Sequence, residues 1–249
     1  MYPTLFRIGS FEVTSFGVLL AVAALVGLWL FHRELVRSGL PTSALDAAIA
    51  GVVGGLVGAK LLWVGEHFGQ APLFALLLSR GGMSWFGGFL GGGATGVWML
   101  HRRQVLLLPA LAAATPALAV GHAIGRIGCF LVGDDYGTRS DLPWAVAFPE
   151  GLPPTDVPVH PTQLYEAVAL VPIAWALFRW RRAHVPDRIV LGRYLIMAGG
   201  LRFAIEFVRV NVRVLGPLTL AHVVSLILVV AGTWMLVSSP GLTVRSATR

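Results

Sequence analysis

The sequence gathers its chemistry in one run, Gly121-His122-Ala123-Ile124-Gly125-Arg126-Ile127-Gly128-Cys129-Phe130-Leu131-Val132-Gly133-Asp134-Asp135-Tyr136-Gly137. There an arginine set between glycines is followed by two carboxylates. A guanidinium in apolar surroundings is a planar fork of donors suited to phosphate. Asp134, with Asp135 beside it, could orient that fork, or could pair with Arg126 simply to make its burial tolerable. A second grouping, Arg202-Phe203-Ala204-Ile205-Glu206, puts opposite charges four residues apart on one helix face, fit equally for a structural or a catalytic ion pair. A third, Pro158-Val159-His160-Pro161-Thr162-Gln163-Leu164-Tyr165-Glu166, reads as a helix entry, with Pro161 favouring the start and Thr162 positioned to cap it. His160, Gln163, Tyr165 and Glu166 there form a hydrogen-bonding patch. His122, alone on an apolar stretch, reads first as a packed histidine.

These groups stand out because the rest of the chain is greasy. Of its 249 residues 56% are hydrophobic and 12% charged, against about 25% charged in soluble domains. The chain is therefore expected to be an all-α integral membrane protein, one multi-pass domain over residues 1–249. The net charge of +7 does not point to nucleic acid, because the arginines are scattered between apolar runs and form no basic face. The single cysteine, Cys129, excludes an internal disulfide, and no Cys/His spacing suggests a metal centre. Neither a metal nor a cofactor is expected.

Apolar runs long enough to cross a bilayer, about 20 residues each, predict seven spans near 13–31, 43–65, 84–100, 106–124, 162–178, 189–208 and 218–238. The first lacks a basic leader and a cleavage signature, and reads as a retained helix. With the amino terminus outside, inner segments hold Arg33, Arg37, Arg102, Arg103, Arg179, Arg181, Arg182, Arg188, Arg245 and Arg249. Outer segments hold Arg7, Arg80, Arg139, Arg209 and Arg213. This bias predicts an N-out, C-in orientation, with the loop 133–160 extracytoplasmic and roofing the charged groups. Most of the eight tryptophans fall near span ends, where indoles favour the headgroup zone.

Glycine is concentrated at Gly51, Gly54, Gly55 and Gly58 and again through Gly81–Gly93. Close helix packing is the ordinary reading. The other is that Gly87 and Gly88 leave room for a lipid headgroup near a helix N-terminus.

Four ordered blocks carry a family resemblance: Gly125-Arg126-Ile127-Gly128 through Gly137; Pro143-Trp144-Ala145-Val146-Ala147-Phe148-Pro149; His160-Pro161-Thr162-Gln163-Leu164-Tyr165-Glu166; and Arg202-Phe203-x-x-Glu206-Phe207-x-Arg209. Together they resemble the prolipoprotein diacylglyceryl transferases. The resemblance implies a multi-pass enzyme of the bacterial plasma (inner) membrane, its active site facing the extracytoplasmic side. Such an enzyme moves diacylglyceryl from phosphatidylglycerol to the lipobox cysteine of a preprolipoprotein signal peptide, releasing glycerol phosphate. It implies Arg126, Asp134, Arg202 and Glu206 as catalytic residues, with His160, His122 or a carboxylate assisting deprotonation of the acceptor thiol. Arg126, Gly125, Gly128, Gly137, Gly87, Gly88, Gln163 and Tyr165 are implied to bind substrate.

Several positions depart from the family pattern. Phe86 stands where histidine or tyrosine is frequent, Cys129 where asparagine is usual, Phe16 and Ala198 at tyrosine positions, and Asp134 where glutamate is usual. They leave open a second function: a paralogue that binds or moves anionic phospholipid without transferring its diacylglyceryl group. Cys129 is not expected to be a nucleophile, since the family uses the acceptor's own thiol.

Overall fold

A chain this apolar must satisfy its backbone hydrogen bonds within its own segments, and a helix does so without a partner. The computed structural model describes residues 4–9, 11–79, 82–211 and 213–238 and is mostly helical. In order come β1 (Thr4–Ile8), β2 (Phe11–Thr14), α1 (Ser15–Arg37), α2 (Ala44–Glu66), α3 (Leu73–Leu78), α4 (Trp85–Arg102), α5 (Leu107–Val132), β3 (Val146–Phe148), β4 (Thr155–Val159), α6 (Thr162–Arg182), α7 (Asp187–Glu206), β5 (Arg213–Leu215), β6 (Leu218–Thr219) and α8 (Leu220–Val237). The strands form three antiparallel pairs, an addition to the all-helical expectation that their brevity hid. Arg80, Gly81, Arg245 and Arg249 lie outside the described residues.

Four helices, Ser15–Arg37, Ala44–Glu66, Leu107–Val132 and Leu220–Val237, are long and apolar enough to cross a membrane. The composition of α6 and α7 is more polar because they carry Gln163, Glu166, Arg202 and Glu206 along with terminal arginines. One boundary matters for function. Helix α5 ends at Val132 and not near 124, which puts Arg126 and Cys129 on the helix with His122 one turn before Arg126.

By internal contacts the chain divides into residues 28–111 and residues 1–27 with 112–249. In the first unit, α2 and α4 pack backbone to backbone. A Cβ added at Gly91 would lie 3.0 Å from the Gly58 Cα and collide with the Gly54 carbonyl. One at Gly87 would collide with the Gly58 carbonyl, whereas at Gly88 it would meet Ala59 Cβ at an ordinary 3.5 Å. Both glycines therefore face α2. The Thr95 hydroxyl donates across to the Ala50 carbonyl at 2.9 Å, and Arg103 pairs with Asp46 at 2.8 Å.

In the second unit, α7 and α8 meet through small residues. A Cβ at Gly192 would sit 2.9 Å from the Gly232 carbonyl, and one at Gly199 would sit 2.8 Å from that of Ser225. Ala119, Leu170, Ala174, Leu177 and Val190 form a buried core joining α5, α6 and α7. Beyond α5 the loop folds back under the β3–β4 hairpin, whose fully buried Phe148 stacks on Tyr136, with ring centroids 5.4 Å apart.

Candidate active site

The loop after α5 is stitched to the ends of α6 and α7 by backbone bonds. Gly137 N–H donates to the His160 carbonyl at 2.9 Å and Thr138 N–H to the Val208 carbonyl at 2.8 Å. Gly137 is required there, because a Cβ would lie 2.8 Å from His160 Cβ and 2.9 Å from Thr162 Cγ2 and run into the Val208 carbonyl. Thr162 does not cap α6. Its hydroxyl donates to the Asp135 carbonyl at 2.8 Å, because the returning loop offers an acceptor that the cap geometry does not. Gln163, fully buried, donates its amide to the Asp134 carbonyl.

This stitching brings three arginines and three carboxylates into one network. Glu166 of α6, with 1% of its side chain exposed, is ion-paired with Arg126 through Nε and accepts from Arg202 Nη1 at 3.1 Å, and His122 Nε2 lies 3.6 Å from it. Arg202 also reaches Glu206 at 2.6 Å. Glu206 has no exposed side-chain surface and accepts from Asn211 Nδ2 at 2.7 Å and the Thr219 hydroxyl at 2.5 Å. Asp135 bridges Arg126 to Arg209, taking Arg126 Nη1 at 2.9 Å on one oxygen and Arg209 Nη2 on the other. Buried charges are tolerable only when paired and hydrogen-bonded, and here every arginine has two acidic neighbours.

Of the sequence candidates, Arg126, Arg202 and Glu206 thus meet in one cluster. Asp134 lies next to it but does not pair with Arg126; that role falls to Asp135. The reason is the turn, since Asp135 takes a left-handed backbone with φ of +60° that turns its carboxylate toward Arg126 and Arg209. Burial pushes the Asp134 carboxyl above the usual carboxylate range; a hydrogen bond from the Cys129 thiol offsets part of this, and the Asp135 charge adds to it. Burial would raise Asp135 too, but Arg209 and Arg126 outweigh it and hold its carboxyl below the usual range.

His160 and Tyr165 form a separate hydrogen-bonded pair. His160 Nδ1 lies 3.2 Å from the Tyr165 hydroxyl, which also accepts from Trp144 Nε1 at 2.8 Å. Gly125 has open space at its Cβ position beside Arg126, while Gly128 packs on α1, 3.6 Å from the Phe16 Cα. Gly87 and Gly88 belong to the unit of residues 28–111, at the α2–α4 contact already described. Cys129 Sγ is 3.9 Å from Arg126 Nη1. The ligand atoms of Cys129, Asp134 and Asp135 fall within 4.8 Å of one another, but the two guanidiniums on Asp135 already neutralise it and weaken the group as a cation chelate.

The sequence reading gave no role to Arg209, which lies three residues beyond Glu206, the last residue of α7, where helical spacing no longer applies. It also passed over Thr219 and His222. These form a capping box at the start of α8, in which the Thr219 oxygen accepts from the His222 N–H and His222 Nδ1 accepts from the Thr219 N–H. Their Thr-x-x-His spacing is the available local signal; the link from Thr219 to Glu206 has none.

Among known proteins the chain matches the prolipoprotein diacylglyceryl transferase family over residues 3–238. It is 32% identical over 216 positions to the phosphatidylglycerol–prolipoprotein diacylglyceryl transferase of Geobacter sulfurreducens, covering 83% of this chain and 82% of that one. The enzyme of the same name from Methylobacillus flagellatus is 32% identical over 256 aligned positions, covering 95% and 96%. That of Vibrio cholerae is 31% identical over 249, covering 95% and 91%. With a match that runs from the first strand to the end of α8 and takes in the whole charged network, the chain belongs to the prolipoprotein diacylglyceryl transferase family.

Proposed function

We propose that this protein transfers the diacylglyceryl group of phosphatidylglycerol to the cysteine thiol of a prolipoprotein. The observation that carries the mechanism is that Arg126 and Arg202 are tied to the single buried carboxylate of Glu166. Donors held in place before the reaction stabilise developing charge without reorganising. In this reading Arg126, Arg202 and Arg209 take the lipid phosphate, while Glu166 and Glu206 orient them. The acceptor thiol gives its proton to His160, since the thiolate is the effective nucleophile. The thiolate attacks the glyceryl carbon bearing the phosphate ester, a C–S bond forms, the C–O bond breaks, and glycerol phosphate leaves with the bonding pair. Asp134 supports the turn beneath Arg126. Gly125 leaves room for the headgroup, Tyr165 lines the approach, and buried Gln163 holds the turn through the Asp134 carbonyl.

We further read both units as one multi-pass domain with seven spans, N-out and C-in, in the bacterial plasma membrane. The loop 133–160 then covers a site open to the extracytoplasmic side, where the lipobox cysteine of a signal peptide would arrive. The test is transfer from phosphatidylglycerol vesicles to a synthetic lipobox peptide by the purified protein. Thioether formation that is lost in Arg126→Ala and in the peptide's Cys→Ser version supports the reaction. Lipid binding without transfer in the parent protein would reduce the function to phospholipid binding.

A further inference from the structure

The charge network holds one member unlike the others. Arg126, Arg202 and Arg209 carry three formal positive charges, balanced by Glu166, Glu206 and Asp135. A phosphodiester added to this set leaves a surplus negative charge in a water-poor place, where an unpaired charge is costly. One carboxylate must therefore leave as phosphate enters. Glu166 and Glu206 cannot, because their side chains are 1% and 0% exposed and are held by three or more partners each. The Asp135 side chain is 45% exposed, and its two oxygens span Arg126 and Arg209 as two oxygens of a phosphate would. It stands on a left-handed turn at φ +60°, two residues after Gly133 at φ +71°, and its backbone carbonyl is pinned by the Thr162 hydroxyl. The side chain can swing toward water while the main chain stays fixed.

Resting on the reading of these arginines as a phosphate site, we propose that Asp135 is an internal phosphate surrogate. It occupies Arg126 and Arg209 in the lipid-free protein, is displaced by the phosphodiester, and so sets the affinity for anionic lipid. After the exchange the network holds three guanidiniums, two glutamates and one phosphodiester, and is again balanced. Asp135 rotated outward faces solvent at no cost of burial.

The sign of a substitution separates a competitor from a structural support. Asparagine tolerates the left-handed turn but lacks the charge that competes. In full-length detergent-solubilised protein, Asp135→Asn should bind phosphatidylglycerol about fivefold more tightly, the gain expected from removing a partly exposed ion pair that masks the site. KM for the lipid should fall with it. Asp135→Glu keeps a carboxylate in reach and should stay close to the parent. Asp141→Asn, the same charge change on the exposed part of the loop, should not tighten binding. Diacylglycerol, which has no phosphate, should bind Asp135→Asn and parent alike. Glycerol phosphate as probe should gain as the lipid does, and a gain confined to the lipid would assign the effect to the acyl chains and overturn the surrogate role. Unchanged or weaker phosphatidylglycerol binding in Asp135→Asn, with Arg126→Ala abolishing it, would also overturn the surrogate role. If Arg126→Ala leaves binding intact, the phosphate-site reading itself fails. Asp135→Ser carries the same test should Asp135→Asn not purify as folded protein.

Discussion

A guanidinium with its Nε committed to Glu166 and one Nη to Asp135 uses geometry that a lysine ammonium cannot copy. Arg126→Lys should therefore lower transfer at least about a hundredfold, in the range seen on removal of one preorganised donor, with membrane insertion preserved; near-parental turnover would refute this. Glu166→Gln should act on stability as well as rate, because it leaves Arg126 and Arg202 short of their shared acceptor. A loss of about 3–5 kcal/mol is typical when one partner of a buried pair is removed, readable as a lower Tm in detergent. The two aspartates should respond oppositely to pH. The Asp135 carboxyl is depressed in the folded protein, so its stabilisation is present above the ordinary carboxylate range and disappears as pH falls through its folded value. The Tm gap between parent and Asp135→Asn should close in acid. Asp134 is raised, so its charged form is the disfavoured one; Asp134→Asn should gain on the parent only as pH rises past the ordinary carboxylate range. An unchanging gap in either case would contradict the assignment.

At the scale of elements, much was legible because apolar runs and helix ends are local properties, and each of the seven expected segments contains a helix. What stayed hidden depended on distant chain. The extension of α5 past Gly125 and Gly128 runs against helix propensity and is compensated at Gly128 by packing on Phe16. The choice of Asp135 over Asp134 turns on one backbone torsion, and the bond from Thr219 to Glu206 joins segments with no shared pattern. Thr219→Val tests that link. It removes a cap worth about 1 kcal/mol and a hydrogen bond to Glu206, so Tm and turnover should fall together; loss of Tm alone would make Thr219 only a cap. The α2–α4 contact gives a contrast within one motif. Gly87→Ala should destabilise, because its Cβ meets the Gly58 carbonyl, while Gly88→Ala meets only ordinary contacts and should leave Tm near the parent value. Equal tolerance at both positions would mean the helices do not pack this closely.

For the whole molecule, the orientation proposed from arginine bias is open to a direct measurement. Ser140 is buried, whereas the Asp141 side chain is 91% exposed, so Asp141→Cys in a Cys129→Ser background is the position to label. An impermeant thiol reagent added outside intact cells should modify it; modification only after the membrane is opened would invert the topology. The charge network also bears on how the chain is made. As α5 enters the bilayer, Arg126 has only Asp135, nine residues on, to offset it. Glu166 arrives forty residues later with α6, and Arg202, Glu206 and Arg209 follow with α7. On the proposed seven-span topology each newly inserted helix would bring the countercharge for the one before it, and α5, α6 and α7 would settle in the membrane as a group and not one by one. A chain cut short after α5 would then carry a guanidinium with one aspartate as its countercharge, a mark that separates an unfinished copy from a complete one.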